Sequence, residues 1–359
     1  MGGAIMPETK TKETVGSFTL KVLNGATIAI VVALIPNAIL ATFFNPFVNN
    51  SLIASWLHIV QVFQFFTPIM AGFIIAMQFK MNPVQSASIA GATYIGSGAW
   101  KYVPATIAGK EANIFQLAGI GDVINTMITA ALAVLAVQWI GNKLGSLNLV
   151  LMPIIIGFGV GWVGTLLLPY VSLITFYLGK GINSFTTLQP VLMSILIAMS
   201  FSIIIISPVS TVAIGLAIGL TGTASAAAGM GVACAAAFLV FATRKVNKAG
   251  VPVAIALGAM KMMMPNFLTH PIIGLPVVIT AAISSLTVPL FHMVGTPASA
   301  GFGLVGLVSP LAALNSGSIN VWIMLLAWIV IPFAVGFVVD KVMCDMLHLY
   351  SRDIFVFKD

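Results

Sequence analysis

Charge is what this chain has least of. Charged residues occupy 6% of its 359 positions and hydrophobic residues 60%, whereas soluble domains carry about 25% charged residues. So few charges cannot cover that apolar excess in water, which excludes a soluble globule and makes lipid the solvent. Cysteine is equally sparse. Cys234 lies inside an apolar run and Cys344 near the C-terminus, which excludes a disulfide framework and a cysteine metal site. No P-loop, HExxH or GxSxG occurs, so the chain carries no catalytic motif of its own, and neither a cofactor nor a metal is expected. Acidic residues are missing altogether from 248–339, and between the first and last apolar runs they are only Glu111 and Asp122. That scarcity counts against simple proton symport, which needs a buried carboxylate or a similar relay. The net charge of +7 would suggest nucleic acid in a soluble protein. Here the basic residues flank apolar runs, so no nucleic-acid partner is expected.

What is present is a series of runs long enough to cross about 30 Å of hydrocarbon. The pattern predicts an all-α polytopic membrane protein of about ten transmembrane helices, with two re-entrant hairpins and an interfacial amphipathic helix. Residues 1–22 form a polar tail, expected to be cytoplasmic, and residues 23–189 a first transmembrane half. In that half the spans are Leu23 to Phe44, Leu52 to Phe79, Val84 to about Trp100, Val123 to Ile140 and Leu147 to Leu168. Asp122 has the position of an N-cap for the fourth. Residues 169–189 mix Tyr170, Phe176, Tyr177, Lys180 and Gln189, which suits a helix lying in the interface. The second half, 190–341, opens with Pro190 to Ile206. Two short spans, Val209 to Thr221 and Ala226 to Thr243, then place Arg244, Lys245 and Lys248 on the same side as Lys80 and Lys143. Pro252, Pro265, Pro271, Pro289, Pro297 and Pro310 interrupt the following runs. Irregular backbone at membrane depth is tolerated only where protein or a wet cavity satisfies it, so 251–266 and 296–315 read as re-entrant hairpins around Ile272 to Met293. A last span, Ile319 to Val339, leads to 342–359, where Met343, Met346, Leu347 and Tyr350 have the spacing of an amphipathic cytoplasmic helix. Both termini then lie inside.

Two GxGxxG matches, at Gly159 and Gly301, lack the βαβ context of a dinucleotide site, and helix packing accounts for them better. The informative groups are polar ones in apolar surroundings. Lys261 either snorkels to the interface or serves the site. In NFLTHP, Asn266, Thr269 and His270 precede Pro271, and an imidazole there can both donate to and accept from a solute hydroxyl. His292 is a weaker candidate at a span end. GTPASAGFG offers Thr296 and Ser299, and Asn315 follows at the end of the same stretch. The early segment MNPVQSASIAGATYIGSGAW adds Asn82, Gln85 and an aromatic face at Trp100, with tight helix packing as its other explanation. Amides, hydroxyls and an aromatic platform suit a small polar solute of the carbohydrate kind.

With these residues in hand, the sequence resembles the membrane-embedded IIC component of the bacterial phosphotransferase system, in a compact branch without fused soluble domains. The resemblance runs from about Leu20 to Lys341 and rests on NPVQSASIAGATYIGSGAW, NFLTHP and GTPASAGFGLVGLVSP. It implies a homodimeric permease of the bacterial inner membrane, working by alternating access with a separate IIB phosphocarrier protein as partner. It also implies a His near the first hairpin and a Glu near the second as sugar ligands. His270 has the first position, whereas Asn315 is the nearest polar residue to the second. The alternatives are a transporter on the same scaffold that works without phosphorylation, or a membrane sensor.

Overall fold

A single segment crosses hydrocarbon most simply by closing its own backbone hydrogen bonds, and the Ala-, Val-, Ile- and Leu-rich runs do so as helices. The computed structural model describes residues 14–44, 47–107, 110–141, 143–297 and 299–357. Glu8, Lys10, Lys12 and Glu13 of the polar tail lie outside them. The first helix, α1 (Val15–Phe44), begins eight residues before the predicted span and keeps Pro36 inside. The second predicted span is a bent pair, α2 (Ser51–Phe65) and α3 (Thr67–Gln78), with 44° between them. Pro68 stands in the first turn of α3, where its missing N–H costs nothing.

Helix α4 (Pro83–Gly96) starts in a capping box and stops short of the predicted span end. Instead of continuing, the chain forms an antiparallel ribbon, β1 (Trp100–Ile107) with β2 (Lys110–Leu117), paired from Trp100↔Leu117 to Ile107↔Lys110. Among the described residues this hairpin is the one sheet in an otherwise helical fold. Its β-branched and aromatic residues, Tyr102, Val103, Thr106, Ile114 and Phe115, favour extended backbone. Helix α5 (Val123–Ile140) follows, and the Asp122 carboxylate accepts from the Asn125 amide at 2.8 Å, as an N-cap should. Burial pushes that carboxyl above its usual range, against the opposing amide bonds from Asn125 and Ile124.

From Gly145 to Thr187 the backbone is one apolar helical stretch of 43 residues, about 64 Å at 1.5 Å per residue. It comprises α6 (Asn148–Met152), a widened π-helical stretch Pro153–Val160 and α7 (Gly161–Asn183). Pro153 has no N–H for the ladder, and the turn widens there. Pro169 lies inside α7. Residues 169–183 thus continue this helix rather than forming a separate one, because a single proline removes one bond without ending it.

Helix α8 (Pro190–Ile205) is followed by α9 (Thr211–Ala217) and α10 (Gly222–Thr243). The predicted short span Val209 to Thr221 is corrected here, since the seven residues of α9 reach only about 10 Å. Short pieces come next, α11 (Gly250–Ala256), a 3-10 turn Met260–Met263 and α12 (Met264–Thr269); α13 (Gly274–Ser284) and α14 (Thr287–Leu290) then lie in the helical stretch Pro271–Leu290, long enough to cross as expected for Ile272 to Met293, and the short α15 (Val308–Asn315) follows. The last helix joins α16 (Val321–Leu325), a π-helical stretch Leu326–Val330 ahead of Pro332, and α17 (Ile331–Asp340). Among the described residues six helices are long and apolar enough to cross a membrane, or seven with the bent pair, where about ten were expected. The shortfall arises where small, proline-broken segments fold as short helices.

Apolar burial divides into two clusters, one from residues 22–156 with Met264, the other from residues 182–355. Helix α10 is the axis of the second, buried continuously from Ala224 to Leu239. Its small residues let α8 approach so closely that a Cβ at Gly231 would overlap the Ala198 carbonyl. From the first half, α1 packs against the turns at 260–263 and 305–307 and against α12.

The C-terminal stretch is not the expected amphipathic helix. A π-helical turn, Lys341–Met346, extends α17, and the chain then folds back to a 3-10 turn, Arg352–Phe355. Polar ties explain the return. Arg352 forks onto Asp340 at 3.1 and 3.0 Å and reaches Asp345 at 2.7 Å, while Phe355 is buried against Phe238 and Tyr350.

Candidate functional site

The proline-broken segments converge at the start of α10. Gly222 and Gly295 exchange two backbone hydrogen bonds of 3.0 Å, fixing the loop before Thr296 beside the helix end. Ser225 Oγ donates to Thr296 O at 2.6 Å, and the Thr296 amide donates to Ser299 Oγ at 2.9 Å. Ser309 Oγ donates to Ser299 O at 2.7 Å and accepts from the Gly303 amide at 2.9 Å. Thr211, from α9, donates to Gly301 O at 2.7 Å. Ser225, Ser299, Ser309 and Thr211 are all buried. The physical reason is depth: backbone carbonyls outside a regular helix must find donors within the protein. Gly303, at φ +59, makes the approach feasible, since a Cβ there would stand 2.7 Å from the Ala233 amide nitrogen.

Lys261 faces the same region. Its ammonium donates to Ser207 O at 2.5 Å and Val209 O at 2.9 Å, capping the irregular end of α8. It is buried, so it does not snorkel to the interface; hydrogen bonding to peptide carbonyls satisfies it.

A second group is Asn266, Thr269 and His270. The Thr269 hydroxyl lies 2.9 Å from Pro265 O, 3.0 Å from Asn266 O and 3.0 Å from His270 Nδ1. With its proton on a carbonyl, Thr269 accepts from Nδ1–H, leaving Nε2 as an acceptor for another group. His270 is exposed, at the C-cap of α12. Asn266 faces the other way: its Nδ2 donates to Ile354 O at 2.8 Å and Val356 O at 2.9 Å. The C-terminal return is thereby tied four residues from His270. Asn247 holds the same strap, donating to Phe355 O at 2.8 Å and accepting from the Phe357 amide at 2.7 Å.

The remaining predicted residues lie apart. Asn82 and Gln85 form the capping box of α4, each side-chain oxygen accepting from the other's amide at 3.0 Å. Asn315 is the exposed last residue of α15. His292 is exposed in a left-handed turn at φ 49. The structure thus joins Thr296 with Ser299 and Asn266 with Thr269 and His270. Among the described residues no hydrogen bond links those two groups to each other or to Asn82 and Gln85. Ser225, Ser309 and Thr211 were missed by sequence reasoning. Their signal was weak, a hydroxyl within GTAS, one before Pro310 and one opening a short helix.

The family model described as "Phosphotransferase system, EIIC" matches residues 20–357 of this chain. No curated protein matches, and no solved structure does.

Proposed function

Since the chain belongs to the phosphotransferase-system EIIC family and is therefore an integral membrane sugar-transport permease, we propose that it moves a single sugar past the broken second half. In this reading a separate phosphorylated IIB protein phosphorylates the sugar at the cytoplasmic face. His270 Nε2 accepts from a sugar hydroxyl, with Thr269 fixing the imidazole tautomer. Asn315, the nearest polar residue to the acid that the resemblance implies, offers its amide, and Thr296 and Ser299 lend backbone and hydroxyl groups when the packed layer opens. Asn82 and Gln85, already capping α4, contribute from the first half through their remaining amide groups. The observation that carries the proposal is the convergence of α9, α10 and the loop 294–307 into one buried hydroxyl layer. Such a layer can exchange its internal hydrogen bonds for those of a polyhydroxyl solute. Alternating access then proceeds by movement of the second half along α1, which packs on the turns at 260–263 and 305–307, on α12 and, through Val31, on the second core cluster. We further propose a homodimer in the bacterial inner membrane with both termini cytoplasmic, as the family resemblance implies, with Lys80 and Lys143 taken as cytoplasmic by the positive-inside rule.

The test is reconstitution. Liposomes containing the purified protein should accumulate a sugar phosphate only when phosphorylated IIB is supplied, and free-sugar uptake that is indifferent to IIB would remove the coupling. One observation favours a second reading, transport without phosphorylation. No acidic residue lies in 248–339, so that stretch supplies no carboxylate for the Glu role that the resemblance implies.

A further inference from the structure

A cavity of about 450 Å³ lies between α4 and the helical stretch that begins at α6. Val84, Ala87, Gly91 and Ile95 line it from α4, and Leu149 and Phe158 from the other side. Ser88 also lines it, but its hydroxyl turns back to Val84 O at 2.8 Å. A Cβ at Gly91 would meet nothing within 4 Å, so the groove is open to an occupant there. From Pro83 to Ile95 the groove follows α4 for about 18 Å, comparable to an extended fatty-acyl chain. None of the candidate sugar ligands lines it, and its apolar walls suit hydrocarbon rather than a sugar.

The lining itself carries no charge, and lysines stand beyond both ends of α4, Lys80 before Pro83 and Lys101 after Trp100, whose indole donates to Ile95 O. Lys80 is exposed, stands three residues before Pro83 in a left-handed turn, and has no ion-pair partner among the described residues. Lys143 precedes Leu144, which packs on the same apolar cluster as Phe79, Met81 and Val84. The Lys143 ammonium is steadied over the Trp139 ring at 4.4 Å. Lys80 thus stands where the groove begins, at the end of α4 that the positive-inside rule, with Lys80 and Lys143, makes cytoplasmic, and that leaflet carries anionic lipid. A helix from a second copy would fill the apolar part of the groove without answering those charges.

We propose that this groove holds one acyl chain of an anionic phospholipid whose headgroup phosphate lies against Lys80. The inference is independent of the transport reading. To test it, the full chain is purified in mild detergent, stripped of lipid, and titrated with phosphatidylglycerol or phosphatidylethanolamine of identical chains under native mass spectrometry. The parent should retain one phosphatidylglycerol per chain, about fivefold tighter than phosphatidylethanolamine. Lys80→Gln should erase that preference and keep chain binding. Gly91→Leu, filling the groove, should weaken both lipids at least about tenfold. Gly157→Leu on the opposite wall, where a Cβ meets only Ser88 O at 3.8 Å, repeats the test if the first variant misfolds. Unchanged lipid retention in both wall variants overturns the proposal. Loss of dimer mass with lipid count unaltered also overturns it, and assigns the groove to a second copy.

Discussion

The Asn266→Ala substitution separates two roles for one side chain. The Asn266 amide donates to Ile354 O and Val356 O at 2.8 and 2.9 Å, so the change deletes both bonds and strands two strap carbonyls. At about 1 kcal/mol net per bond, the strap should lose about 2 kcal/mol against local opening. That is about a thirtyfold larger opening constant, read by hydrogen exchange as faster amide turnover across 351–357. The long core helices, α10 above all, should exchange at their former rate, because Ala224 to Leu239 are buried independently of the strap. His270 shares a turn with Asn266 through the 2.8 Å bond from its amide to Asn266 O. That bond survives the substitution, so sugar affinity should change little. Unaltered exchange in 351–357 together with lost sugar binding would refute this reasoning and make Asn266 a ligand.

Other outcomes follow from the same geometry. His270→Ala should weaken sugar binding by about 1 to 3 kcal/mol if the imidazole bonds a desolvated hydroxyl, and equal calorimetric affinities for variant and parent would reassign it to structure. Gly231→Ala places a methyl against the Ala198 carbonyl and should cost about 1 to 3 kcal/mol, seen as a lower melting temperature in detergent. Asp122→Ala removes the cap of α5 and should cost about 1 kcal/mol, without shifting exchange in the second half.

Much of the fold was legible because lipid makes few demands and makes them strictly. The runs around α1, α5, α10 and the last helix had to be helical, and their hydropathy alone located them. Asp122 was readable as a cap since its chemistry is local. The β1–β2 ribbon was not, because Trp100 to Leu117 alternates only weakly and its pairing joins residues up to 17 positions apart, Trp100 with Leu117. Pro169 misled in the other direction: a proline suggests a boundary, yet α7 runs through it at the loss of one bond. The candidate site divided likewise. Thr296 and Ser299 were found as small hydroxyl residues in irregular backbone, while Ser225, Ser309 and Thr211 came from three other segments. Asn266 looked like a ligand because the residue it holds lies 88 positions away.

By itself, then, the sequence determined the solvent, the helical class and the family resemblance, and it nominated the polar residues proposed for the site. These are properties of composition and local pattern, which each residue carries wherever the chain goes. Only tertiary structure decided which hydroxyls share a layer, that Lys261 caps α8 and that the C-terminus returns to α12. Those are contacts between residues far apart in the chain, and they depend on close packing of elements whose approach no local pattern specifies.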